Sequence, residues 1–207
     1  MSYSDLIFTQ LNTLPYFTKT SVLQVAEKFE LPISTVNTLI SRAIKRREII
    51  QLKRNYYVTQ KFFEENTHEV SYHFFLANKL LSPSYISLES ALQYYGMLTE
   101  SIGTINTSVT KKYTQTFNSR EEVFKYNVIA PKLFKDYVTI SAKFEFRIAT
   151  RSKAVFDFLY FRTREFRSEF AEDILEDLRI DTDELTYEDT EYLKTEIRNF
   201  TYKHMSI

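Results

Sequence analysis

Cysteine is absent from the 207-residue sequence, and glycine occurs at two positions only. The first absence excludes disulfides, cysteine-bearing zinc sites and a cysteine nucleophile, and it fits a reducing compartment. The second excludes a glycine-rich phosphate loop, which needs several residues without a Cβ around the phosphates. No GxSxG elbow is there to present a serine nucleophile. The three histidines, His68, His73 and His204, lack a metal-ligand spacing, because His68 and His73 stand five residues apart rather than the four that share a helix face. No basic start followed by an apolar run marks a signal peptide, and no apolar stretch is long enough to span a bilayer. A soluble cytoplasmic protein is expected, with no membrane partner, no metal, no cofactor and no catalytic residue.

What is there is ample core material: 43% of the residues are hydrophobic and 16% aromatic, enough for one large domain or two small ones. Lysine plus arginine equals aspartate plus glutamate, 27 each, yet the balance hides two different surfaces. Arg42, Lys45, Arg46, Arg47, Lys53 and Arg54 face only Glu48 between Ser34 and Arg54. Between Glu169 and Glu191 the charges are acidic except for Arg179. One region is locally cationic and another strongly anionic. The acidic stretch could mimic nucleic acid against a basic partner surface, and reads in preference as two solvated helix faces.

Residues 1–60 read as three helices and a hairpin. Leu6, Ile7 and Leu11 mark the first helix, ending near Leu14-Pro15. Thr20 or Ser21 caps a second, with Val22, Leu23, Ala26 and Phe29 facing inward. Ser34 opens a third, whose stripe is Val36, Leu39, Ile40, Ala43, Ile44 and Arg47. The opposite face carries Ser34, Thr35, Thr38, Ser41, Arg42 and Lys45. Slim hydroxyls followed by cations suit a helix whose first turns enter a major groove about 12 Å wide while later cations meet phosphates. Ile49 to Val58 then reads as two strands turning at Lys53-Arg54-Asn55, where Asn tolerates a left-handed backbone. This order resembles a winged helix-turn-helix. Its expected contacts to duplex DNA are Ser34, with Thr35, Thr38, Ser41 and Arg42 toward the base edges and Lys45, Arg46, Lys53 and Arg54 toward phosphates.

Residues 61–83 form an expected connecting segment with helical content, through Val70, Phe74, Phe75 and Leu80-Leu81. Residues 84–207 read as a mixed α+β domain. Ser87, Glu89 and Ser90 begin a short helix that Gly96 stops. Thr104 to Thr110, Thr114 to Phe117, Val123 to Ile129 and Phe144 to Ile148 are strand-like in composition. Val155, Phe156, Phe158 and Leu159 mark another helix, and helices follow at about Glu169 to Leu178 and Tyr187 to Tyr202. The α+β class is thus expected, with a small sheet and C-terminal helices.

Three stretches carry a family resemblance. Pro83-Ser-Tyr-Ile-Ser-Leu-Glu-Ser-Ala-Leu-Gln-Tyr-Tyr-Gly96, Thr107-Ser-Val-Thr110, and Ala149-Thr-Arg-Ser-Lys-Ala154 leading into Asp157-Phe-Leu-Tyr160 resemble the C-terminal domain of abortive-infection antitoxins of the AbiEi type. These are partners of nucleotidyltransferase-like toxins in type IV toxin–antitoxin systems. The resemblance implies a phage-defence antitoxin that represses its own operon, through inverted repeats in its promoter, and counters such a toxin without an assured stable complex. On the matching positions it implies antitoxin function for Tyr85, Ser87, Glu89, Ser90, Thr110, Lys111, Lys153 and Asp157. The chain departs from the family at Asn55, where Gly is usual, and at Arg151-Ser152, where Pro-Glu is usual.

Two other readings differ in class. A one-component transcriptional regulator would use its second domain to bind a ligand or a protein. A metal-dependent nuclease would use Asp136 and Glu145, but Arg147 stands where such sites carry lysine, and arginine holds its proton too firmly to serve as a base. The aromatics Tyr85, Tyr94, Tyr95, Phe156, Phe158, Tyr160 and Phe161 could stack bases, yet at helical spacing they read as core.

Overall fold

The computed structural model describes residues 2–99, 103–109, 113–162 and 180–204, the side chains of 106, 108, 109 and 200–204 excepted. The chain begins with α1 (Tyr3–Leu11), where Ser2 and Asp5 cap each other reciprocally. A two-residue strand β1 (Phe17–Thr18) leads into α2 (Lys19–Glu27). The cap of α2 is Thr18, which exchanges hydrogen bonds with Ser21 three residues on, so neither Thr20 nor Ser21 is the cap. Helix α3 (Ile33–Lys45) follows Pro32, which serves as N-cap without a side-chain bond, so Ser34 lies inside the helix rather than opening it. The expected stripe holds for Val36, Ile40 and Ala43, which are buried. Arg47 leaves it: its backbone is left-handed (φ 62°) and its side chain exposed, and the N–H groups of Arg47 and Glu48 bond the carbonyls of Ile44 and Ala43 to close the helix.

Strands β2 (Ile49–Lys53) and β3 (Tyr56–Thr59) form the hairpin, and β1 pairs with β3 to give a sheet of order β1-β3-β2. Asn55 sits at φ 66° in the turn, the conformation its short amide tolerates. Side chains alternate across a strand, and here each face of the hairpin serves a different core. Ile49 and Tyr57 pack with Ile7, Val22, Val36 and Ala43. Ile50, Leu52 and Val58 pack instead into the cluster that holds Leu76, Tyr85, Tyr126 and Phe156. The hairpin is therefore a wall shared by the two cores.

Helices α4 (Gln60–Glu65) and α5 (Val70–Leu80) fill the connecting segment. The second unit is built on a six-stranded sheet of order β6-β7-β5-β4-β9-β8. Its strands are β4 (Ser84–Ile86), β5 (Thr104–Val109), β6 (Gln115–Asn118), β7 (Val123–Val128), β8 (Tyr137–Ile140) and β9 (Phe146–Ala149). Pairs β4–β9 and β5–β7 are parallel and the others antiparallel. Helix α6 (Leu88–Tyr94) follows β4, α7 (Arg151–Arg162) follows β9, and α8 (Tyr187–His204) closes the described chain. The protein is thus α+β.

Strand β4 fixes which helix covers which face. Ser84 meets Asn78 of α5, whereas its neighbour Tyr85 meets Asp157 of α7. Consecutive side chains point to opposite faces, so α5 and α7 lie on opposite sides of the sheet. Asn78 also accepts the Arg147 N–H at 2.7 Å, tying α5 to β9. Gly96 (φ 77°) ends α6: its N–H and that of Met97 reach the carbonyls of Gln93 and Leu92. The expected helix at Glu169 to Leu178 lies outside the described residues.

Candidate functional site

The outward face of α3 gathers most of the residues expected to meet DNA. Ser34, Thr38, Ser41 and Lys45 recur at helical spacing and are all exposed, with Arg42 exposed beside them and Thr35 at the edge. The Thr38 hydroxyl donates to the Ser34 carbonyl at 3.0 Å, which leaves its lone pairs outward. Arg46 lies 3.8 Å from Glu48, an exposed pair worth at most about 1 kcal/mol. Glu48 also accepts the Ser4 hydroxyl at 3.0 Å. The local acid is thereby occupied, and the face keeps its cationic character.

Two further exposed residues in the first half of α3 escaped the sequence reading. Ile33, first residue of α3, is 62% exposed. Spacing assigns it to the buried stripe, three residues before Val36 and seven before Ile40; the structure leaves it beyond the edge of the packed core. Asn37, one turn later, is exposed as well.

The hairpin divides its two cations. Arg54 is exposed at the turn. Lys53 turns inward: its ammonium donates to the Leu80 carbonyl and lies over the rings of Tyr56 (4.2 Å) and Phe117 (5.2 Å). Burial pushes its pKa down. The wing lysine expected at phosphate is therefore engaged within the protein, against the second unit.

A second constellation lies between β4, the β4–α6 link and α7. Lys153 Nζ stands 2.6 Å from Asp157 Oδ1, one helical turn away on α7. The other Asp157 oxygen accepts the Tyr85 hydroxyl at 2.9 Å and the Ser87 hydroxyl at 2.6 Å. All four side chains are buried. Ser87 makes no cap bond to α6 because its hydroxyl is committed to Asp157. Leu88, directly after it, holds a left-handed backbone (φ 54°) while buried, a costly state for a bulky residue that the surrounding packing maintains. A carboxylate so surrounded has both oxygens engaged and is closed to water. It joins strand to helix across some 70 residues of sequence.

Four of the eight residues carried by the family resemblance, Tyr85, Ser87, Lys153 and Asp157, are thus brought into one cluster. Glu89 pairs instead with Arg162, and Ser90 donates to the Thr104 carbonyl at 3.3 Å. Thr110 and Lys111 lie outside the described residues.

The nuclease pattern is not assembled. Asp136 flanks the Tyr137↔Ala149 end of the β8–β9 pairing, and Glu145 flanks the Ile140↔Phe146 end. At ~3.3 Å per residue the two carboxylates are roughly 15 Å apart along the hairpin. Asp136 accepts the Tyr192 hydroxyl of α8 and lies 3.5 Å from Lys135, which reaches Glu196 at 2.8 Å. Among the described residues no group of three or more His, Asp or Glu side chains could hold a metal ion, and no helix is long and apolar enough to cross a membrane. Of the aromatics considered for stacking, Tyr85, Phe156 and Phe158 are core, and Tyr94 is exposed.

Comparison with protein-family models and with curated proteins finds no match to this chain.

Proposed function

We propose that the protein is a DNA-binding antitoxin that represses its own operon and counters a nucleotidyltransferase-like toxin. The observation that carries the DNA half is the outward face of α3, where exposed hydroxyls lie at the start and Arg42, Lys45 and Arg46 toward the end. The element order α1-β1-α2-α3-β2-β3 is what a winged helix-turn-helix requires. In this reading Ser34, Thr35, Thr38, Ser41 and Arg42 meet base edges, while Lys45, Arg46 and Arg54 meet phosphates. Lys53 supports the wing from behind.

The antitoxin half rests on the resemblance of the stretches around Tyr85 and Asp157 to AbiEi-type antitoxins. Their burial assigns Tyr85, Ser87, Lys153 and Asp157 a positioning role: they hold α7 against β4, and any toxin contact falls to exposed residues around them. Cytoplasmic placement and inverted operator repeats belong to the same reading.

The test is binding of the purified protein to the duplex just upstream of its gene, against a scrambled duplex, at two salt concentrations. Preference that survives the higher salt supports a specific repressor; equal binding that salt erases overturns it. Co-expression with a neighbouring nucleotidyltransferase-like gene tests the other half, since the full chain must restore growth.

A one-component regulator is the second reading, favoured by one observation: the hairpin is packed into the second unit through Ile50, Leu52 and Lys53. Such coupling would let a ligand of the second unit reach the wing. Loss of operator binding on adding a small molecule, with no toxin gene adjacent, selects it.

A further inference from the structure

We infer that α3 reads a thymine through its 5-methyl group, with Ile33 as the reading side chain. This rests on the DNA-binding reading above. Ile33 is the first residue of the helix and is 62% exposed, while Val36 and Ile40 on the same stripe are 0% and 5% exposed. A β-branched apolar side chain is thus held in water at the end of the helix that enters the groove first, where base contacts concentrate. The apolar group that the major groove offers is the thymine methyl, and every other edge presents donors or acceptors. Ile33 has no hydrogen-bonding side-chain atom, so it matches that edge alone.

Its neighbours fit the same occupant. Ser34 follows directly, and Asn37 stands one turn on, exposed, with the paired donor and acceptor that match adenine N6 and N7. The cations Arg42, Lys45 and Arg46 lie in the second half of the helix and beyond. The nearest carboxylate, Glu48, is taken by Arg46 and Ser4. The exposed surface of the helix is apolar and amide-bearing toward its start, where bases would lie, and cationic toward its end, where phosphates would lie. Duplex DNA is the occupant with that charge pattern.

The experiment starts from duplexes selected from a random pool by the purified full-length protein. Each thymine of the preferred sequence is then replaced by deoxyuridine, which removes only the methyl. One thymine per half-site should weaken wild-type binding about fourfold, the worth of one buried methyl. Ile33→Ala should bind the thymine duplex more weakly and not distinguish it from the deoxyuridine duplex. Because Ile33 is outside the core, Ile33→Ala should melt at the wild-type temperature, which separates reading from folding. The inference fails if no thymine replacement affects the wild type, or if Ile33→Ala keeps the full thymine preference. If the selection returns no common sequence, the DNA reading itself fails and this inference with it.

Discussion

Lys153 and Asp157 form an ion pair 2.6 Å long with 3% and 0% of their side chains exposed, and Tyr85 and Ser87 complete the shell of the carboxylate. Removing one member leaves the other charged in a dry site, which costs about 3–5 kcal/mol. Lys153→Met should therefore destabilise the protein strongly against a total of roughly 5–15 kcal/mol. Lys153→Met combined with Asp157→Leu should lose less than the single change, because no buried charge remains. Tyr85→Phe removes one hydrogen bond to a charged group and should cost about 1.5–3 kcal/mol. Urea unfolding of the four proteins checks the order; a double variant no more stable than Lys153→Met would show that the pair is not coupled.

That cluster marks the limit of what the sequence makes legible. The third helix, the hairpin turn at Asn55, the stop at Gly96 and most strands of the second sheet are legible because each has a local cause: periodicity, a tolerated left-handed residue or β-branched composition. Strand β4 is not legible, since Ser84, Tyr85 and Ile86 are buried on both faces and show no alternation. Strand β8 is short and lies between two charged loops. The meeting of Tyr85 with Asp157 joins residues 72 positions apart and leaves no periodic trace. Lys53 and Arg54 look alike as a charged pair, and only the placement of Leu80 separates them. The exposure of Ile33 is not legible for a related reason, because periodicity gives a side chain's direction but not where the neighbouring core ends.

His73 supplies a pH dependence whose sign is fixed. Its Nδ1 lies 2.9 Å from Glu122 and its Nε2 lies 2.9 Å from the Thr67 carbonyl, so both ring nitrogens face acceptors. Burial works against the charged ring. The Glu122 hydrogen bond and charge, the Thr67 carbonyl and the nearby Glu69 outweigh it, and the pKa is raised above its ordinary value of 6.5. The stabilisation is therefore complete below pH ~6.5 and fades as pH rises through the folded value. Melting temperature followed from pH 6 to 9 should fall in the wild type by more than in Glu122→Gln. Parallel curves for the two proteins would assign the dependence elsewhere.

Gly96 isolates a backbone effect. A Cβ there would meet no atom within 4 Å, yet φ is 77°. Gly96→Ala should cost about 1 kcal/mol through the left-handed conformation alone. Replacement by Asn, which tolerates that region better, should cost less. Equal losses for the two would point to an interaction of the added side chain rather than to the backbone.

The hairpin offers the sharpest separation of roles, because Lys53 and Arg54 are adjacent and oppositely placed. Arg54 is exposed at the turn, whereas Lys53 is spent on the Leu80 carbonyl and the rings of Tyr56 and Phe117. A phosphate contact releases condensed counterions, and removing one such contact flattens log K against log salt by about 0.9. Arg54→Ala should therefore lower the slope by that amount. Lys53→Ala should leave the slope nearly unchanged, while removing the bond that ties the wing to α5. Titrations at four salt concentrations give both slopes. A slope flattened in Lys53→Ala as much as in Arg54→Ala would mean that DNA draws the lysine away from Leu80, so that binding at the wing and the packing of the second unit compete for one ammonium group.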